Sequence, residues 1–211
     1  MSDILIRVEG RAGRLTLNRP QALNALTYGM LGEIERALDM WEHDPAIDLV
    51  LIDAAGNKAF AAGGDIVDLY RTGRAGDFSF GRQFWADEYR LNAKIARYPK
   101  PYVAVMTGFT MGGGVGVSAH GSHRIVTDGS QVAMPECGIG LVPDVGGSWL
   151  LARAPGRLGE YLGMTSARMG PGDAIHCGFA DYYVPREGLE GLKAALVVGD
   201  LAAIDAVATA A

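Results

Sequence analysis

The chain is predicted to be an α/β protein built on a buried sheet. Three observations carry that prediction. Short apolar runs such as "LVLI" and "YVAVM" alternate with segments of helical periodicity. About half of the 211 residues are apolar and 20% are charged, a globular profile with enough chain for one large core. No internal repeat or low-complexity linker divides the sequence.

The elements follow in order. "ILIRVEGRAGRLTLNRP" reads as a β-hairpin, with two alternating runs around the glycine-containing loop "GRAG". "TYGMLGEIERALDMWEHD" places Met30, Leu31, Ile34, Leu38 and Trp41 on one helical face, with Thr27 as N-cap. "DLVLIDAAG" is a buried strand, followed by "FAAGGDI" as a loop that opens the next helix. "TGRAGDFSFG" reads as a looser polar stretch. "QFWADEYRLNAKIARYP" is a long helix ended by Pro99. "KPYVAVMTG" is a buried strand with the glycine cluster directly after it, and "VGVSAHG" reads as helical. "HRIVTDGSQVAMPE" gives two short strands around "DGS". "GGSWLLARAPG" and "LGEYLGMT" are short helices, followed by "ARMGPGDAIHCG" and the strand "ADYYVP". The last residues form one or two helices rich in Ala, Leu and Val.

Charge and composition exclude some function classes. A net charge of −5 argues against a nucleic-acid or anionic-membrane surface. No run approaches the ~18 apolar residues of a membrane span, and "MSDILIRVEGRAG" has no apolar signal core. Cys137 and Cys177 imply no disulfide framework. These features lead to the expectation of a cytoplasmic protein.

Two glycine loops follow buried strands, "AAGGD" and "MGGGVG". Each is expected to open a helix, whose first N–H groups are unpaired and partially positive. Such donors hold an oxygen that gains charge during acyl chemistry, or a phosphate. Neither a P-loop nor a G-x-G-x-x-G register is present. On the loop alone, tight packing and ligand contact both remain open.

"MPECGIGLVPDVGG" adds Glu136 and Asp144 among apolar neighbours. Carboxylates so placed tend to raised pKa and serve as acid, base or nucleophile. The plainer reading makes Asp144 an N-cap and Glu136 a solvated loop residue. Glu88, on the long helix, has a solvated alternative too. His120 and His123 lack the glutamate and third ligand of a zinc-protease motif, so no metal is expected. There is no G-x-S-x-G elbow.

The motifs "NRPQALNALT", "KAFAAGGDI", "GFTMGGGVGVSAHGSHRIVTD" and "MPECGIGLVPDVGGSWLLARAPG" occur in one order. Together they resemble the crotonase (enoyl-CoA hydratase/isomerase) superfamily over roughly residues 1–185. The resemblance implies a β/α superhelix, the spiral fold, that binds acyl-CoA thioesters. It implies an oxyanion hole of two amides, Gly64 and Gly113. It places Ala62 near the adenine of CoA, with Asp65 also in the substrate-binding loop. No cofactor is implied, since CoA is part of the substrate.

Family hydratases use two glutamates, one of them two residues after the glycine triplet. Here that position is Gly116, and only Glu136 remains. The pattern is similar instead to the 3-hydroxyisobutyryl-CoA hydrolase branch. That resemblance implies catalytic roles for Glu136 and Asp144, and a substrate contact for Glu88 in "DEYRLN". The implied reaction is hydrolysis of a short 3-hydroxyacyl-CoA. The alternatives are an enoyl-CoA hydratase or isomerase working with Glu136, and a non-catalytic acyl-CoA-binding subunit. Residues 186–211 are expected to be a C-terminal helical segment, shortened relative to that branch. An apolar patch left where further helices sit would favour a homo-oligomer.

Overall fold

The computed structural model describes residues 2–211. The predicted hairpin is present: β1 (Ile4–Glu9) pairs antiparallel with β2 (Ala12–Leu17), Ile4 facing Leu17. The first long helix, α1 (Tyr28–Glu42), begins where expected, with the Thr27 hydroxyl accepting the Met30 amide. Its buried face is the predicted one, including Met30, Leu31, Ile34, Leu38 and Trp41.

From β3 (Leu49–Ala54) onward the chain winds as a spiral. Each turn gives one strand to a large sheet and one to a small sheet. β4 (Ala59–Ala61) follows β3, then α2 (Val67–Arg74) and α3 (Ser79–Ala96). The second turn supplies β5 (Tyr102–Met106), β6 (Phe109–Met111) and α4 (Gly113–Gly116). The third supplies β7 (His123–Val126) and β8 (Gln131–Ala133), then α5 (Gly147–Arg153), α6 (Leu158–Thr165) and α7 (Pro171–His176). β9 (Tyr182–Tyr183) closes the large sheet, and α8 (Leu189–Val197) and α9 (Ala203–Val207) follow. The six-stranded order is β1-β2-β3-β5-β7-β9, parallel from β2 onward, and the three-stranded sheet is β4-β6-β8, all parallel.

Both faces of the large sheet are covered, which is why its strands read as continuous apolar runs. Alternation sends Val50, Ile52, Ala104 and Met106 into the core shared with α1 and α3. Leu49, Leu51, Val103 and Val105 face the other way, against Leu189, Leu192, Leu196 and Ile204 of α8 and α9. The last helices are therefore part of a sheet face, and the Thr209 amide bonds back to the Tyr183 carbonyl.

Three local expectations are corrected. The glycine cluster does not follow β5 directly, because β6 intervenes. The helix expected over "VGVSAHG" starts two residues earlier and is only four residues long, Gly113–Gly116, three glycines and Val115. "TGRAGDFSFG" is not loose throughout: α2 runs to Arg74 and α3 starts at Ser79. Of the small sheet only β8 was read, as the second strand around "DGS"; β4 and β6, three residues each, are too short to show periodicity.

Candidate active site

The small sheet and α3 enclose a cavity of about 280 Å³. Ala62, Gly64, Glu88, Gly113, Glu136 and Asp144 all line it. Phe84, Trp85, Leu69, Ile66, Ile139 and Leu141 supply an apolar wall and mouth.

Each amide of the expected pair is left free by the local backbone. Gly64 forms a parallel bridge with Leu26. In that bridge the Gly63 carbonyl accepts from Leu26 and the Asp65 amide donates to Leu26. The Gly64 N–H is thereby directed away from Leu26. Gly113 is the first residue of α4, whose internal bonds begin with the Gly116 and Val117 amides. Its own N–H belongs to the unpaired first turn. Among the described residues neither amide has a protein acceptor. The two loops touch: the Gly64 nitrogen lies 3.1 Å from where a Cβ on Gly113 would be. Here α4 has a single turn and α2 starts only at Val67, so the dipole of a long helix adds little at either glycine.

In the glycine loop, tight packing and access for a ligand are both present. Gly112 has φ +50°, and a Cβ there would lie 2.7 Å from Glu136 Oε1. Gly116 is enclosed: a Cβ there would sit 2.8 Å from Asn92 Nδ2 and from Val145 Cβ. No side chain fits at Gly116, so the position of the second hydratase glutamate is closed by packing.

Glu136 is not a solvated loop residue. It is 5% exposed, in a 3-10 turn over Glu136–Ile139, and its Oε2 has no partner. Burial pushes its pKa up to about 7, with the Asp144 charge adding and its own amide opposing. Glu88 is 2% exposed with Oε1 unpartnered. Burial, then Asp144 and Glu136, raise it to about 8. Asp144 is not an N-cap; Gly146 holds that position before α5. Its Oδ2 accepts the Tyr89 hydroxyl at 2.6 Å. Asp65 does not line the cavity: its carboxylate pairs with Arg19 at 2.9 Å and accepts the Val67 amide.

Three residues of this region went unread in the sequence. Tyr89 is one, although it stands beside Glu88. Asn92 is another, one helical turn further on, buried with neither amide atom partnered. Val145 is the third, at φ +45°, a strained conformation for a β-branched residue. His120 Nε2 lies 2.7 Å from the Val145 carbonyl, and burial lowers the His120 pKa, favouring the neutral ring. His123 instead stacks on Tyr182, so the two histidines serve different contacts.

The spiral of two parallel sheets with a cavity holding two free amides and buried carboxylates matches the fold expected from the resemblance, and comparison with known proteins shows the family. The enoyl-CoA hydratase/isomerase family model matches residues 12–211. The chain belongs to that family. It is 47% identical, over 93% of its length, to the mitochondrial 3-hydroxyisobutyryl-CoA hydrolase of Danio rerio. It spans about half the length of the curated relatives it matches, 51% in that case. A solved enoyl-CoA hydratase of Rhodobacter sphaeroides superposes with TM-score 0.94 at 62% identity, covering 95% of this chain and 59% of that one. A carnitinyl-CoA dehydratase of Mycobacterium thermoresistibile gives 0.97 at 50% identity, covering 100% and 62%.

The expected cytoplasmic location is overturned by the vertebrate relatives, which are described as mitochondrial. A compartment address is carried outside a folded core, so core composition holds no record of it.

Proposed function

We propose that the chain hydrolyses a short 3-hydroxyacyl-CoA thioester of the 3-hydroxyisobutyryl-CoA type. One observation carries the reading. Two unpaired glycine amides face a cavity with three carboxyl groups, while Gly116 has no room for a second hydratase glutamate. The similarity to hydrolases described for 3-hydroxyisobutyryl-CoA supports the same substrate class. A place in valine breakdown would follow from that substrate.

The thioester oxygen sits between the Gly64 and Gly113 amides. One such donor is commonly worth ~3–4 kcal/mol to a transition state that gathers charge there. Glu136, with a pKa of about 7, has an ionised fraction at neutral pH that is poorly solvated and therefore nucleophilic. It bonds to the carbonyl carbon, and the C–S bond breaks with its electron pair leaving on CoA sulfur. The thiolate takes a proton from solvent. Water then adds to the acyl-enzyme anhydride, one proton passing to Asp144, and Glu136 leaves as carboxylate. Glu88, largely neutral below pH 8, walls the acyl pocket and offers an O–H donor. The other route keeps the same residues, with Glu136 activating water directly.

The solved relative described as an enoyl-CoA hydratase keeps hydration as the second reading. The test follows thiol release from 3-hydroxyisobutyryl-CoA beside hydration of crotonyl-CoA. Thiol release alone is expected. Hydration without thiol release would overturn the proposal and assign Asp144 the missing glutamate's work. Binding of both esters without turnover of either would favour the acyl-CoA-binding alternative.

A further inference from the structure

We infer that Tyr89 is a positioning residue for the reaction: its hydroxyl fixes the carboxylate of Asp144 in the orientation that faces the acyl group. The inference rests on the proposed role of Asp144.

The observations come from three directions. First, Asp144 lies in a segment without regular structure between Gly140 and α5. Its backbone is held by Pro143 before it, by Val145 and Gly146 after it, both at positive φ, by the Gly147 amide donating to its carbonyl, and by the His120 contact to the Val145 carbonyl. Main-chain geometry holds the Cα but leaves the side-chain torsions free. Second, the Tyr89 hydroxyl is the only partner of the Asp144 carboxylate among the described residues, at 2.6 Å to Oδ2. A single bond therefore selects its rotamer, and Oδ1 has no protein partner among the described residues, in a side chain that lines the cavity.

Third, Tyr89 is mounted on rigid support. Its helix, α3, is anchored through buried Phe84, Glu88, Leu91 and Ile95. The same helical turn carries Glu88 into the cavity and Tyr89 to Asp144, so α3 sets the spacing of two of the three carboxyl groups. Although Tyr89 is 41% exposed, partial desolvation of its hydroxyl and the bond to Asp144 both raise its pKa, which keeps the phenol protonated and donating. Hydrogen bonds to a charged acceptor are shorter and stronger than neutral ones, which suits a bond that must hold one rotamer unaided.

The test compares Tyr89→Phe, Asp144→Asn and the double variant in the full chain. Tyr89→Phe deletes one oxygen and keeps the ring. Its kcat for thioester hydrolysis is expected to fall roughly tenfold or more, with KM within about twofold. In the Asp144→Asn background the same change should have no further effect, within about twofold. Tyr89→Phe that matches wild type, while Asp144→Asn is impaired, would overturn the inference and leave the proposed reaction standing. Equal losses in both backgrounds would also overturn it, since they indicate a general structural role.

A crystal structure of Tyr89→Phe gives a readout that needs no turnover. Asp144 in a second rotamer, or split between two, is expected. An unchanged single rotamer would overturn the inference whatever the substrate proves to be.

Discussion

Two groups of buried carboxylates sit on this scaffold at equal depth and have opposite environments. Asp53, 3% exposed, accepts from Arg14 at 2.7 Å and Thr16 at 2.6 Å, with Lys193 at 3.4 Å. Glu88 and Glu136, 2% and 5% exposed, have no cation, an unpartnered oxygen each, and Asp144 beside them. The first arrangement ties β2, β3 and α8 together. The second stores unfavourable electrostatics in a cavity. Burial by itself does not mark function; burial without a partner does, because only a ligand or a proton relieves it.

The comparison breaks most sharply at Glu136. Glu136→Gln should lower turnover by about 10³-fold or more with binding of the CoA ester retained, measured by thiol release and by titration calorimetry. Near-normal turnover would remove Glu136 from the chemistry. On the paired side, Asp53→Asn should cost about 3 kcal/mol of stability, since it leaves Arg14 and Lys193 without their shared partner. Denaturant unfolding measures this, and turnover per folded molecule should be unchanged. A variant as stable as wild type would mean that Glu9 on Arg14 and Glu190 on Lys193 compensate for the lost carboxylate.

A smaller effect tests the closed position. Gly116→Ala drives a methyl against Asn92 and Val145, and overpacking of that kind costs about 1–3 kcal/mol. An unaltered denaturation midpoint would show that the wall yields, reopening the site to a side chain at 116.

The remaining effect is the most diagnostic in pH. Glu88 has a folded pKa near 8, above its value of 4.5 when unperturbed. Between those values the folded state binds the extra proton, so stability falls as pH rises through that window. Glu88→Gln removes this penalty. Its melting temperature should exceed wild type by several degrees at pH 8 and match it near pH 4.5. An equal difference at both pH values would mean that Glu88 does not titrate in this window.

Much of the molecule was legible beforehand, for reasons that separate by range. The α1 face, the hairpin and the long strands were readable because periodicity and caps act within a few residues. The facing glycines and Glu136 were readable through motif order. Tyr89 was not, because its partner lies 55 residues away and a tyrosine on an exposed helix face carries no local signal. Asn92 and the enclosure of Gly116 were hidden likewise, as both depend on α3 crossing α4 and Val145. β4, β6 and β8, each three residues long, have no independent stability and exist only as a paired set.

By itself, then, the sequence determined the α/β class, the helix faces, the family and the glutamate missing at 116. Tertiary structure alone decided which amides go unpaired, which carboxylates lose their solvent and which one gains a tether. The physical reason is that pattern and capping are local free energies, whereas desolvation and charge coupling depend on what distant segments bring into one cavity.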